Sequence, residues 1–173
     1  MSFLSRLFSR PQGADALDPL YRAIVARARE PLWYREGGVP DTIDGRFDMV
    51  SAILALVLLR IEAEGANTAG DTVRLTEIFV NDMDGTLRQI GIGDHVVGKR
   101  VGNLMSALGG RLGAFREAAD DEAFRAAVKR NIHREAPPSE EALAFTSVRL
   151  AALRDALAAL PYPEILAAKV PAP

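Results

Sequence analysis

The sequence contains no cysteine, so disulfides, thiolate metal sites and cysteine nucleophiles are excluded together. Its two histidines, His95 and His133, cannot make a zinc site without carboxylate help. There is no basic excess to suggest nucleic acid: the net charge is −2, with 25% of residues charged and 49% apolar, the balance of a soluble globular chain. No run is long enough to span a bilayer, because the longest mostly apolar stretch, Met49 to Leu59, falls well short of the roughly 20 residues a transmembrane helix needs. Strand alternation between turn signals is also missing.

What is present reads at helical period. A chain of 173 residues can bury one substantial core, and the pattern predicts an all-α, single-domain bundle of about six helices. Residues 1–17 read as a basic amphipathic, flexible segment, 18–160 as the helical domain and 161–173 as a proline-rich tail. At the start, Phe3, Leu4, Leu7 and Phe8 stand apart from Arg6 and Arg10, an arrangement suited to an anionic membrane surface, although a frayed end with two arginines accounts for it as well. The segment lacks the apolar region and cleavage site of a secretory signal.

Asp18-Pro19 opens the first helix, and Pro31 stops it. A linker carrying Trp33 and Tyr34 follows, in which Gly37, Gly38 and Pro40 oppose regular structure. The second helix, from about Gly45 to Glu64, is apolar over so wide an arc that it belongs at the centre of the bundle. After a polar break at 65–70, the third begins at Asp71 with the stripe Leu75, Ile78, Phe79, Met83, Leu87 and Ile90. Asp82 falls within that stripe while Asp84 points away, so Asp82 is expected to be partly buried and to need a cation from Arg46, Lys99 or Arg100.

The fourth helix, from about Asp94 to Ala118, lines up Gly98, Gly102, Gly109 and Gly113 along one edge. Each interior glycine costs about 1 kcal/mol relative to alanine, so the edge predicts close approach of another helix, either from within the bundle or from a docking partner. A fifth helix follows Asp120-Asp121 and ends near His133. Ser139 caps a sixth, which runs to Leu160 with a seam of Leu143, Thr146, Leu150, Leu153, Leu157 and Leu160 closing the core.

Motifs for chemistry fail one by one. Residues 93–99, GDHVVGK, have the spacing of a phosphate-binding loop, but Arg100 stands where a serine or threonine belongs and a helix precedes in place of a strand. The glycines instead suit a left-handed helix end at Gly91 and a tight link into Asp94 as the next N-cap. Asp82-Met83-Asp84-Gly85 lacks the spacing and the closing glutamate of a calcium loop, and no serine sits in a nucleophile elbow. No catalytic residue, metal site or cofactor is therefore expected. Two acidic clusters, Asp41-Asp44-Asp48 and Asp82-Asp84, face a basic set of Arg46, Lys99, Arg100 and Arg111. They read either as a solvated face of weak ion pairs or as pins joining Asp82 and Asp44 to Arg46 and Arg100.

Three blocks together, WYREGGVPDTIDGRFDM at 33–49, LLRIEAEG at 58–65 and FVNDMDGTLRQIGIGDHVVGKRV at 79–101, resemble the ubiquinol–cytochrome c chaperone family over roughly residues 19–118. The chain departs from that pattern in having Leu108-Gly109 where a bulkier aromatic stretch is expected, and in lacking a histidine in the second helix. The resemblance implies a helical, non-catalytic assembly factor for the cytochrome bc1 complex. Its expected partners are newly made cytochrome b or another membrane-protein client, a smaller partner protein and the ribosome. Carried over by motif, Trp33, Tyr34, Asp41, Asp44, Arg46, Asp82, Asp84, Asp94, Lys99 and Arg100 are the expected partner contacts. The short stretch before the first helix favours a bacterial protein at the cytoplasmic side of the inner membrane, and the matrix side is the equivalent place if the source is eukaryotic. Two alternatives stand beside this reading: a small-molecule or quinone-binding enzyme working at an Asp82/Arg100 corner, and a structural adaptor that forms a homodimer through the glycine edge.

Overall fold

The computed structural model describes residues 16–134 and 137–172. It is all-α among those residues, as the periodicity predicts: α1 Asp18–Ala28, α2 Leu32–Arg35, α3 Ile43–Glu62, a 3₁₀ turn Ala66–Thr68, α4 Ala69–Gln89, α5 Asp94–Glu117, α6 Asp121–Ile132, α7 Glu140–Ala159 and α8 Tyr162–Leu166. The basic amphipathic segment, apart from Ala16 and Leu17, lies outside the described residues.

Helix α3 is the axis, packed against α1, α4, α5, α6 and α7. Every residue from Phe47 to Leu58 is buried, which is why its sequence shows so little amphipathic contrast. Its N-terminus is set by the Thr42 hydroxyl, which accepts a hydrogen bond from the Gly45 N–H at 3.0 Å. A side chain at Gly45 is impossible without movement, because a Cβ there would lie 2.0 Å from the Pro40 carbonyl oxygen. Asp120 caps α6 through the Ala123 N–H, and Ser139 caps α7 through the Ala142 N–H.

Several boundaries shift from their expected places. Leu17 rather than Asp18 caps α1, Gly93 rather than Asp94 caps α5, and α4 starts at Ala69 behind the 3₁₀ turn. Within the linker, Pro31 opens the short helix α2. It turns Trp33 into the core, where the indole is 0% exposed and donates to the Arg27 carbonyl at 2.8 Å. The Tyr34 hydroxyl donates to the Ala28 carbonyl at 2.8 Å. The two rings thus add hydrogen bonds to the last carbonyls of α1, of which that of Arg27 also accepts from the Glu30 N–H at 3.4 Å.

The expected tail is not loose. Ile165 and Val170 belong to the hydrophobic core at 0% and 5% exposure. The Arg27 guanidinium donates twice to the Val170 carbonyl, both at 3.1 Å, while Arg60 donates to the carbonyls of Leu157 and Leu160 at 2.9 and 2.7 Å. The Tyr162 hydroxyl donates to the Asp71 carboxylate.

Candidate functional site

The corner between α4 and α5 forms as the glycines suggest, with Gly91 left-handed at φ +84°. The ion pairs expected around it do not. The Asp82 carboxylate accepts from the Tyr21 hydroxyl of α1 at 2.7 Å, not from Arg46, Lys99 or Arg100. Burial, reinforced by that bond, pushes the Tyr21 phenol above its ordinary pKa. Arg46 instead meets Asp41 at 2.7 Å on the surface, which holds the Asp41 carboxyl below its usual range. Asp84 pairs with Arg88 one turn along α4, also at 2.7 Å. A neutral phenol, in place of the expected cation, satisfies this half-buried carboxylate without a second charge to desolvate.

Six of the expected contact residues are therefore divided among three clefts. Tyr34, Asp41 and Arg46 share a shallow cleft beside Arg29. Asp82 lines a wider one between α1 and α4 with Tyr21 and Arg22. Asp44 and Arg100 share the third, of about 310 Å³, floored by Phe47, Leu87 and Leu104 and walled by Asn103 and Arg134. Because Asp82 and Arg100 line different clefts, the corner on which a quinone or small-molecule enzyme was expected is not assembled. Trp33 is buried, Lys99 is exposed on α5, and the side chain of Asp94 lies outside the described residues.

Behind the third cleft is a charged network that the sequence reading missed. Arg111 of α5 is 1% exposed and donates to the Asp48 carboxylate and the Ser51 hydroxyl of α3, and to the Asn131 carbonyl at the end of α6. Arg134 reaches the same carboxylate, donating to its two oxygens at 2.6 and 3.1 Å. Burial lowers the Arg111 pKa, and the Asp48 charge opposes that shift. Asp48 thus ties α3 to α5 and to the chain after α6, and it orients Arg134 at the cleft wall. Its signal was available: Asp48 sits in the most apolar stretch of the chain, and Arg111 follows Leu108 and precedes Phe115 on the inward stripe of α5.

The end of the bundle around this cleft is also apolar. Ile43 is one turn before Phe47, Ile90 one turn after Leu87 and Val96 one turn before Arg100, and these three are 47%, 46% and 49% exposed. An open cleft with an apolar floor, two guanidiniums, a carboxylate and exposed aliphatic neighbours is equipped to hold a protein segment by its side chains. Among the described residues no group of His, Asp or Glu is arranged to hold a metal ion.

The glycine edge of α5 does not receive another helix of the bundle. A Cβ added at Gly98, Gly102, Gly109 or Gly113 would meet nothing within 4 Å, so the expectation of internal close packing is corrected to an open edge. The inward stripe of Val97, Leu108 and Phe115 makes the contacts with α3, α4 and α6 instead.

Comparison with known proteins decides the family. The family model described as ubiquinol-cytochrome C chaperone matches residues 35–172. This chain belongs to that family. The match runs through α8, which agrees with the packed rather than loose C-terminal segment. The fold is similar to the crystal structure of the Cbp3 homologue from Brucella abortus, with a TM-score of 0.77 and 30% identity, covering 91% of this chain and 88% of that one. A search of curated proteins found no match.

Proposed function

We propose that this family member is a non-catalytic assembly chaperone that holds newly made cytochrome b, or another subunit of the ubiquinol–cytochrome c reductase complex, until it is incorporated. The observation that carries this reading is the family match across residues 35–172, reinforced by similarity to the Brucella abortus Cbp3 homologue. The surface suits the task. It offers open clefts that combine apolar floors with charged rims, the features that bind and orient an apolar helix in a groove.

A client that enters the membrane places the work at the cytoplasmic face of the inner membrane of a bacterium. None of the helices is long and apolar enough to cross a membrane among the described residues. The test is deletion of the gene followed by spectra of cytochrome b haem and measurement of assembled bc1 complex, with affinity capture of the tagged protein alongside. Loss of assembled complex, with a cytochrome b subunit in the eluate, is the expected result. Normal complex and normal spectra in the deletion strain would overturn the reading.

A further inference from the structure

Helices α6 and α7 enclose a groove of about 460 Å³, away from the residues singled out by the family pattern. Its floor is Phe124, and its α7 wall is the face formed by Ser147, Val148, Ala151, Ala152 and Asp155, spaced so that they share one side of the helix over two turns. Val148 is 67% exposed, the most exposed large aliphatic among the described residues. Ser147 is only 6% exposed, and its hydroxyl has no hydrogen-bond partner among the described residues. A buried hydroxyl without a partner is a cost that a bound chain's backbone would remove.

The rim is acidic. Asp121, Glu122, Glu140 and Asp155 give −4 and Arg125 and Arg154 give +2, a net of −2. Both arginines are committed: Arg125 to Glu140, and Arg154 to Asp155 at 2.9 Å and Asp121 at 3.8 Å while stacked over Phe124 at 4.8 Å. Glu122, exposed in the first turn of α6, has no cation opposite it in this set.

From the apolar wall, the unpartnered Ser147 hydroxyl and the acidic rim we infer that this groove binds an apolar helix carrying lysine or arginine at one end. This is the chemistry of a membrane protein's span where it meets its cytoplasmic loop, because such loops are rich in Lys and Arg. Alanines at 151 and 152 let the helix backbone approach, Ser147 hydrogen-bonds its backbone or a polar side chain, and Glu122 and Asp155 hold its cationic end. The inference rests on the chaperone reading, and it assigns the client's membrane-boundary segment to a surface separate from the Asp44/Arg100 cleft.

The experiment uses the full chain and two labelled synthetic helices of Leu and Ala, one ending in two lysines and the other in two glutamates, with binding followed by fluorescence anisotropy. The lysine peptide is expected to bind at least tenfold tighter than the glutamate peptide. Val148→Glu should weaken it at least tenfold with its thermal melt unchanged, and Glu122→Lys combined with Asp155→Lys should reverse the preference, with a melt lowered by loss of the Arg154–Asp155 pair and of a first-turn acid but still well above the assay temperature. Equal affinity for the two peptides, or variants that melt normally and bind like the parent, would overturn the inference. So would light scattering that shows a dimer which Val148→Glu dissociates, because the groove would then belong to a second copy. Expressed in the deletion strain, variants that lose peptide binding yet restore full bc1 assembly would remove the groove from the client path and leave the chaperone reading standing. A deletion strain with normal bc1 assembly would instead strike the chaperone reading and, with it, the assignment of the occupant to a client, whatever the peptides show.

Discussion

At the scale of single residues, Asp48 sets the stakes for the interior. Burying two charges gains little over an apolar pair, but removing one partner leaves the other charge in a low dielectric. Asp48→Ala strands Arg111, and urea unfolding should show a loss of about 3–5 kcal/mol. Arg111→Met should cost less, because Asp48 keeps both bonds from Arg134; equal losses would show that Arg134 contributes nothing. His133 gives a pH dependence of known sign. It is 5% exposed, and burial lowers its pKa from the ordinary 6.5 despite a backbone interaction with Gly38. The unfolded chain therefore takes up the proton first, so the stability tied to neutral His133 is whole above pH 6.5 and is lost as pH falls toward the folded value. Urea midpoints measured from pH 7.5 to 5.5 should decline more steeply in the parent than in His133→Leu. Asp82 shows what was readable: its partial burial follows from its place in the α4 stripe, but its partner does not, because Tyr21 is 61 positions away and carries no charge to mark it. Asp82→Lys should still lower the melting temperature, by losing the Tyr21 bond and adding a cation beside Arg22 and Arg29, whereas Asp84→Lys, which only trades an exposed pair with Arg88 for a like-charge neighbour, should lower it far less.

At the scale of elements, helices were legible wherever caps and a stripe coincided, as at Ser139 and Asp120. They were less legible where packing overrides local signals. Helix α2 forms inside a stretch bounded by Pro31 and Gly37 because burying Trp33 and closing the end of α1 outweigh poor propensity over four residues. The α5 glycines mark the opposite failure. Their cost implies a purpose, but sequence alone cannot tell an internal neighbour from open space, and here the space is open. Two glycine substitutions separate these cases. Gly102→Ala and Gly109→Ala fill nothing and should each raise stability by about 0.5–1 kcal/mol, seen as a higher melting temperature. Gly45→Ala drives a Cβ into the Pro40 carbonyl and should lower it. If the stabilised α5 variants fold better yet assemble less bc1 complex in the deletion strain, the edge is kept for a partner.

At the scale of the whole molecule, the bundle is closed by its own ends. Arg27 in α1 holds the carbonyl of Val170, Arg60 near the end of α3 holds the last carbonyls of α7, and Asp71 at the start of α4 accepts from Tyr162. Proline-punctuated segments read as tails because prolines interrupt periodicity, and four or five apolar residues scattered between them leave no stripe to count. Here Pro161 and Pro163 instead start α8 and aim Ile165 into the core. A chain ending at Leu160 would lose Ile165 and Val170 from that core and leave the Arg27 guanidinium without the Val170 carbonyl. The two aliphatic losses differ in kind from the polar one. Ile165→Ala alone should cost about 2–5 kcal/mol as a buried truncation. Arg27→Ala, a half-exposed side chain whose loss leaves water to satisfy the carbonyl, should cost about 1 kcal/mol or less. Urea unfolding of the truncated chain beside these two variants should therefore place it nearer to Ile165→Ala than to Arg27→Ala. A truncated chain as stable as the parent would mean that the last helix rests on the bundle without holding it together.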